Sequence, residues 1–207
     1  RRLVGTATLL PDCTQRADGR WVWTPMSLRG RYQTHYIPCC HGLSRRGYLQ
    51  RFGKTNPEYF ALLANGKRDS DPNIHGHRGH LDYLNEEFLN EVLLDAKAYL
   101  TGQPAASRGI LAKGRVAYDP SSHQPGIFDL GPQDGLSEAN WNHSPASWKY
   151  WEEGRQSDLI WGYVAKIGRR LKAQGIPGYV TNFAYSTYRE VPSDEVDLPD
   201  NVLVQVC

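Results

Sequence analysis

Apolar positions recur along this chain at two periods. From Ser157 to Ala173 the residues Leu159, Ile160, Tyr163, Val164, Ile167 and Leu171 fall on one face at helical spacing. Arg169, Arg170 and Lys172 occupy the last turns and Gly175 comes next, so the pattern predicts an amphipathic helix with basic groups at its negative end. A second helix is predicted after Asn85: Glu86 and Glu87 form an acidic first turn, Phe88, Val92, Leu93, Ala96 and Leu100 repeat on one side, and Gly102 ends the run. Tyr48 to Phe52 reads as one short helix. Short, mainly apolar runs at Ile127 to Leu130, Tyr179 to Tyr185 and Val202 to Val206 predict strands, the first of them buried. Arg31 to Ile37, stopped by Pro38, and Leu3 to Leu10 read the same way. Tyr59 to Leu63 predicts an extended arm that turns at Asn65-Gly66. Leu136 to Gly154 is polar and Trp-rich, and reads as a long binding or lid loop.

Apolar strands alternating with amphipathic helices predict an α/β fold with a parallel sheet. A complete eight-stranded β/α barrel takes ~250 residues, so 207 residues with these strands would hold an incomplete (β/α)8-type barrel. Residues 30–207 are assigned to that partial barrel and 1–29 to an N-terminal segment of no assigned fold. Both ends read as cut from a longer polypeptide, and further domains of the same chain are expected.

Composition narrows the function. A formal net charge of +2 is too small to point to nucleic acid. No apolar run approaches the ~20 residues of a membrane span. The four cysteines lack any Cys-x-x-Cys spacing, which argues against a cysteine-based zinc site. No Gly-rich phosphate loop, nucleophile elbow or dinucleotide fingerprint is present, and no cofactor is expected. Six Trp and twelve Tyr, several in polar surroundings such as Trp141-Asn142-His143, fit sugar faces as readily as a core.

The candidate chemistry begins where Ile127-Phe128-Asp129-Leu130 runs into Gly131-Pro132-Gln133-Asp134-Gly135. Apolar residues carry a strand inward, Gly-Pro breaks it, and a carboxylate stands next beside a glycine. In α/β folds the groups just past the carboxyl ends of strands build the active site. The plainer alternative is an Asp-Gly turn that only reverses the chain.

Three stretches carry a family resemblance. Asn56-Pro57-Glu58-Tyr59-Phe60-Ala61-Leu62-Leu63 leading to Gly66-Lys67-Arg68 is similar to an HPEYFAL…GKR signature. Leu130-Gly131-Pro132-Gln133-Asp134-Gly135 resembles LSPNDG. Ala184-Tyr185-Ser186-Thr187-Tyr188 followed by Pro199-Asp200-Asn201-Val202 resembles AYxxY…PDNV. These occur in this order in bacterial proteins of domain-of-unknown-function family 4838. That family overlaps glycoside hydrolase family 163, a family of endo-β-N-acetylglucosaminidases. The resemblance implies a (β/α)8-type barrel in an exported, multidomain protein. It also implies a glycan substrate, Asp134 and Gly135 at the sugar site, and Tyr185 and Tyr188 in the wall beside it. The chain departs from the pattern at Asn56, where a His is usual, and at Glu138 to His143, where a cysteine pair is usual.

Cleaving a glycosidic bond needs an acid at the leaving oxygen and a second group that supplies or orients the nucleophile; on N-acetyl sugars the acetamido oxygen can be that nucleophile. Asp134 is the leading catalytic carboxylate and Glu138, in the same loop, its local partner. Gln133, Gly135, Trp141, Tyr185, Tyr188 and His35 are the candidate substrate-binding residues. His35 and His41 flank a predicted strand end, so either could enter the site, with a core or rim histidine as the plainer alternative, and Asp129 is a weaker acid candidate inside its strand. Glu58 is expected to pair with Lys67 or Arg68 across the turn, and Asp158 to complement a helix dipole. Alternatives are a non-catalytic carbohydrate-binding barrel, a related hydrolase acting on uronic acids, and a metal-dependent hydrolase using His75, His77 and His80.

Overall fold

The structure is a computed structural model that describes the backbone of residues 3–5, 13–15 and 21–23, and residues 41–71, 79–110 and 126–206 in full. Four strands, β1 (Leu3–Gly5), β4 (Ile127–Asp129), β5 (Tyr179–Ala184) and β6 (Val202–Val206), form one parallel sheet in the order β1-β6-β5-β4. β2 (Cys13–Gln15) and β3 (Trp21–Trp23) make a separate antiparallel ladder. The N-terminal segment, to which the sequence assigns no fold, therefore contributes both a small hairpin and one edge of the main sheet. The strand predicted over Arg31 to Ile37 lies outside the described residues.

The helices are α1 (Tyr48–Phe52), α2 (Glu86–Leu100), α3 (Pro145–Glu152) and α4 (Gln156–Ala173). α2 starts as its sequence predicts, with the Asn85 side chain accepting the Phe88 N–H at 2.9 Å. α4 buries all six apolar residues of its predicted face. Each such side chain is worth ~1.5–3 kcal/mol when fully buried, whereas isolated helices of this length are marginal in water, so packing decides that α4 is a helix. Lys166 and Arg170 of α4 both reach Glu86, which ties α4 to the start of α2.

The helices and the apolar strand row belong together. Phe128, Val180 and Val202 share one register row. Tyr99 of α2 packs edge-on to Phe128 at 5.6 Å, and Gly168 of α4 lies against Val202. Asp129, Thr181 and Phe183 alternate to the other face and are also buried. On that face the backbone of Gly42 lies directly against Asp129; a β-carbon at Gly42 would stand 2.4 Å from Asp129 Cγ. The Leu43 N–H donates to the Gly131 carbonyl at 3.0 Å, so residues 41–43 are laid along the extension of β4.

The sheet buries an amide without a partner. Asn182 is wholly buried between Val180 and Ala184, opposite Val204, and neither end of its amide has a hydrogen bond among the described residues. An unpaired buried amide costs ~1–3 kcal/mol, and an apolar group of the same shape avoids that penalty. Asn182→Leu is therefore expected to raise stability by ~1–3 kcal/mol, seen as a higher urea midpoint at unchanged slope.

Asp158 sits in the first turn of α4, where it complements the helix dipole as expected, and it also holds a loop. It accepts the Ser193 N–H at 2.7 Å, the Ser193 hydroxyl at 2.9 Å and Arg155 Nε at 2.7 Å. Burial opposes its ionisation, but the Ser193 and Arg155 donors outweigh burial and hold the carboxyl below its ordinary value. The anchorage is thus complete above the unfolded-state value of about 4 and is lost as pH falls through the lower folded-state value. Amide exchange at Ser193 should accelerate below about pH 4, while Asp158→Asn should exchange quickly at neutral pH as well.

Among the described residues no helix is long and apolar enough to cross a membrane.

Candidate active site at the carboxyl ends of β4 and β5

β4 and β5 run parallel, so the segments leaving their carboxyl ends emerge on the same rim of the sheet. Asp134 lies just past β4 and Tyr185 just past β5. Leu136 is buried and anchors the loop after Asp134, and the Asn140 side-chain amide donates to the Gly135 carbonyl at 2.8 Å. Gly135 has φ +79°, a left-handed conformation that a side chain would strain, and so the turn takes glycine there.

The Asp134 side chain is 56% exposed. Its Oδ1 accepts the Gly135 N–H at 2.8 Å and lies 3.3 Å from His41 Nε2. Oδ2 has no hydrogen-bond partner among the described residues. His41 Nδ1 stands 2.8 Å from the Pro132 carbonyl, and its ring meets Phe183 and Tyr185 edge-on at 5.0 and 5.9 Å. Tyr185 is 40% exposed. Asp134, His41 and Tyr185 thus share one patch floored by Phe183.

The other expected site residues differ in exposure and contacts. Glu138 is exposed in a one-turn helix (Glu138–Asn140) and its carboxyl makes no hydrogen bond or ion pair among the described residues. Gln133 is half-buried with its amide end beside Gly79. Trp141 does not offer a face to a sugar: it is 1% exposed, its indole N–H donates to the Ser147 carbonyl at 2.9 Å, and its ring packs on Trp151. Tyr188 is likewise buried, against Phe183 and beneath Trp161, whose indole donates to the Tyr188 carbonyl. The long loop predicted over 136–154 is in fact largely helical, because Pro145 opens α3 at a position that needs no N–H. Asp129 is 4% exposed, accepts the Gly131 N–H and packs on Gly42, a structural position rather than a reacting one. Glu58 accepts from Asn56, while Lys67 pairs with Asp71 and Arg68 donates to the Phe60 carbonyl, so the expected ion pair across the turn is not made. The turn itself is present, with the Leu63 N–H on the Lys67 carbonyl.

His35 lies outside the described residues, as do His75 and His77. His80 is buried, with its backbone N–H on Asp69 Oδ2 at 2.7 Å. Among the described residues no cluster of His, Cys, Asp and Glu has the arrangement of a metal site.

Beyond Tyr185 an open hollow of about 420 Å³ is lined by Gln156, Ser186, Thr187, Arg189 and Glu190. It adjoins the Asp134 patch through the Tyr185-Ser186 step, where Ser186 takes a left-handed φ of +51°.

Comparison with protein-family models, curated proteins and solved structures returned no match.

Proposed function

We propose that this chain is the glycan-cleaving part of a (β/α)8-type glycoside hydrolase, similar to domain-of-unknown-function family 4838 and glycoside hydrolase family 163. The observation that carries this reading is Asp134 itself. It stands past the carboxyl end of a buried parallel strand, exposed, with one oxygen fixed by the protein and the other open. Further support comes from three consecutive neighbours β4, β5 and β6, all parallel, with α2 and α4 on the Phe128–Val180–Val202 face. An arc of a barrel has this form, with the Asp129–Thr181 row turned inward.

In the proposed reaction Asp134 Oδ2 accepts the N–H of a 2-acetamido group and aims its carbonyl oxygen at the anomeric carbon. Glu138 donates a proton to the leaving oxygen as the glycosidic C–O bond breaks. The acetamido oxygen bonds to the anomeric carbon, and water later opens that ring with Glu138 taking a proton back. Asp134 suits the orienting role because two N–H groups can converge on Oδ1. Glu138 is assigned the acid role because it follows Asp134 in the same loop and its carboxyl is exposed to an arriving substrate.

A binding module is the weaker reading. Of the rings assigned to sugar contact, Trp141, Tyr185 and Tyr188, only Tyr185 is exposed. That leaves little of the aromatic platform such a module uses.

The test is turnover by the full polypeptide on N-glycans, chito-oligosaccharides and uronate-containing oligosaccharides. Release of products with N-acetylglucosamine at the new reducing end is expected. Saturable glycan binding without cleavage would replace the enzyme reading with the binding one, and cleavage confined to uronates would replace the substrate class.

A further inference from the structure

We propose that His41 is the positioning residue of Asp134, locking Oδ1 so that Oδ2 alone meets the substrate. This deepens the reading of Asp134 as the catalytic carboxylate and rests on it.

The acceptor at Pro132 fixes which ring nitrogen carries a proton. A carbonyl oxygen only accepts, so the 2.8 Å contact to Pro132 requires a proton on His41 Nδ1. A neutral ring would then turn a bare Nε2 lone pair toward Asp134, and two lone pairs do not bond. The 3.3 Å contact is attractive when a proton lies between Nε2 and Oδ1. With that proton in place, Oδ1 keeps its hydrogen bond from the Gly135 N–H and has the imidazolium beside it as an ion pair at 3.3 Å. The carboxylate can no longer rotate freely, and its second oxygen is presented in one direction.

The ring is itself held on every described side. Its side chain is only 18% exposed. Phe183 and Tyr185 meet it edge-on, and the His41 carbonyl accepts both the Ser44 N–H at 3.0 Å and the Ser44 hydroxyl at 2.7 Å. The His41 backbone lies at φ +48°, ψ +42°, a left-handed conformation that is strained for a non-glycine residue. Gly42 next door lies directly against Asp129, which fixes where the segment runs. The titratable groups facing the ring are Asp134 from the turn after β4 and Tyr185 from the end of β5, with Asp129 of β4 behind Gly42.

The experiment uses the full polypeptide and an N-acetylglucosaminide substrate. His41→Phe keeps a ring in place but loses both donors, and should lower kcat about 10–100-fold, as expected for a misaimed group, with KM changed by less than about threefold. His41→Gln, which retains one N–H donor, should recover part of the loss. On an Asp134→Asn background His41→Phe should cost nothing further, because the group it positions is already gone. An unchanged kcat in His41→Phe, or an equal loss on both backgrounds, would overturn the proposal. Ring ¹⁵N spectra give a readout that does not depend on turnover. Asp134→Asn should move the Nε2 signal and leave Nδ1 in its protonated position. Ring signals indifferent to Asp134→Asn would refute the pair even in an active enzyme. Absence of turnover in the wild type would instead refute the glycosidase reading.

Discussion

Asp134→Asn in the full polypeptide is expected to lower kcat on N-acetylglucosamine-containing glycans by about 10²–10⁴-fold, the range of a lost acid–base or charge-stabilising group. Glycan affinity and the unfolding midpoint should hardly change. The side chain is more than half exposed, so its effect on stability should stay within about 0.5 kcal/mol. Asparagine is isosteric and its carbonyl can still accept the Gly135 N–H, which keeps the turn. What it lacks is the negative charge that polarises an acetamido group and steadies the developing positive charge at the anomeric carbon. Steady-state kinetics, calorimetric binding of an uncleaved glycan and urea denaturation on one preparation separate the three quantities. Turnover that survives would move the chemistry away from this rim altogether.

Helix periodicity was the most legible part of the sequence. α4 and α2 lie within a residue or two of the predicted spans because their apolar faces run through several turns and their ends carry Asn85, Gly102 and Gly175. The short strands were legible for a different reason: mainly apolar runs bounded by Gly and Pro mark them, and the inner residues of β5 are buried on both faces, although β6 is only half-buried. α3 was not legible. Its eight residues bury only Ser147 fully and mix Trp148, Tyr150 and Trp151 with charges, so no period stands out and the Ser144-Pro145 start reads as a turn. Trp141 was obscured by the same mixture. A tryptophan among polar neighbours looks exposed in sequence, but its indole N–H finds the Ser147 carbonyl six residues away and the ring can be buried at little cost.

The site shows the same division between local and distant information. The carboxylate was legible because Gly131-Pro132 and Asp134-Gly135 are contiguous turn signals. His41 was legible only as a histidine at a strand end; its pairing with Asp134 was not, because it reaches Pro132 across 91 residues and nothing near His41 marks the contact. The contact depends on backbone fit. A β-carbon on Gly131 would come within 3.0 Å of the His41 nitrogen and 2.7 Å of the Phe183 ring, and one on Gly42 would strike Asp129. Two glycines therefore let the 41–43 segment lie close enough to the β4 extension for the imidazole to arrive at Asp134. Glycines far apart in sequence give no sign that they face each other.

Asp95→Ala is expected to destabilise the fold by about 3–5 kcal/mol, the usual cost of removing one partner of a buried ion pair. Asp95 is wholly buried in α2 and accepts Arg51 through both guanidinium nitrogens, at 2.6 and 3.1 Å, and Arg108 Nε at 2.9 Å. Arg108 also reaches Glu91 at 2.5 Å. The aspartate thereby joins α1, α2 and the turn at Ala105–Arg108. Without it, Arg51 remains 10% exposed over the Phe52 and Tyr48 rings with only the more distant Glu91 carboxylate to balance it. A loss of this size is a large share of the ~5–15 kcal/mol that holds a typical domain together. The decisive comparison is the triple change Asp95→Leu, Arg51→Met and Arg108→Met. It removes the buried aspartate and both arginines together, leaves Glu91 with about a quarter of its side chain in solvent, and should recover most of the loss in urea denaturation. Failure to recover would mean that the network specifies how α1 seats on α2, a role that apolar packing cannot take over.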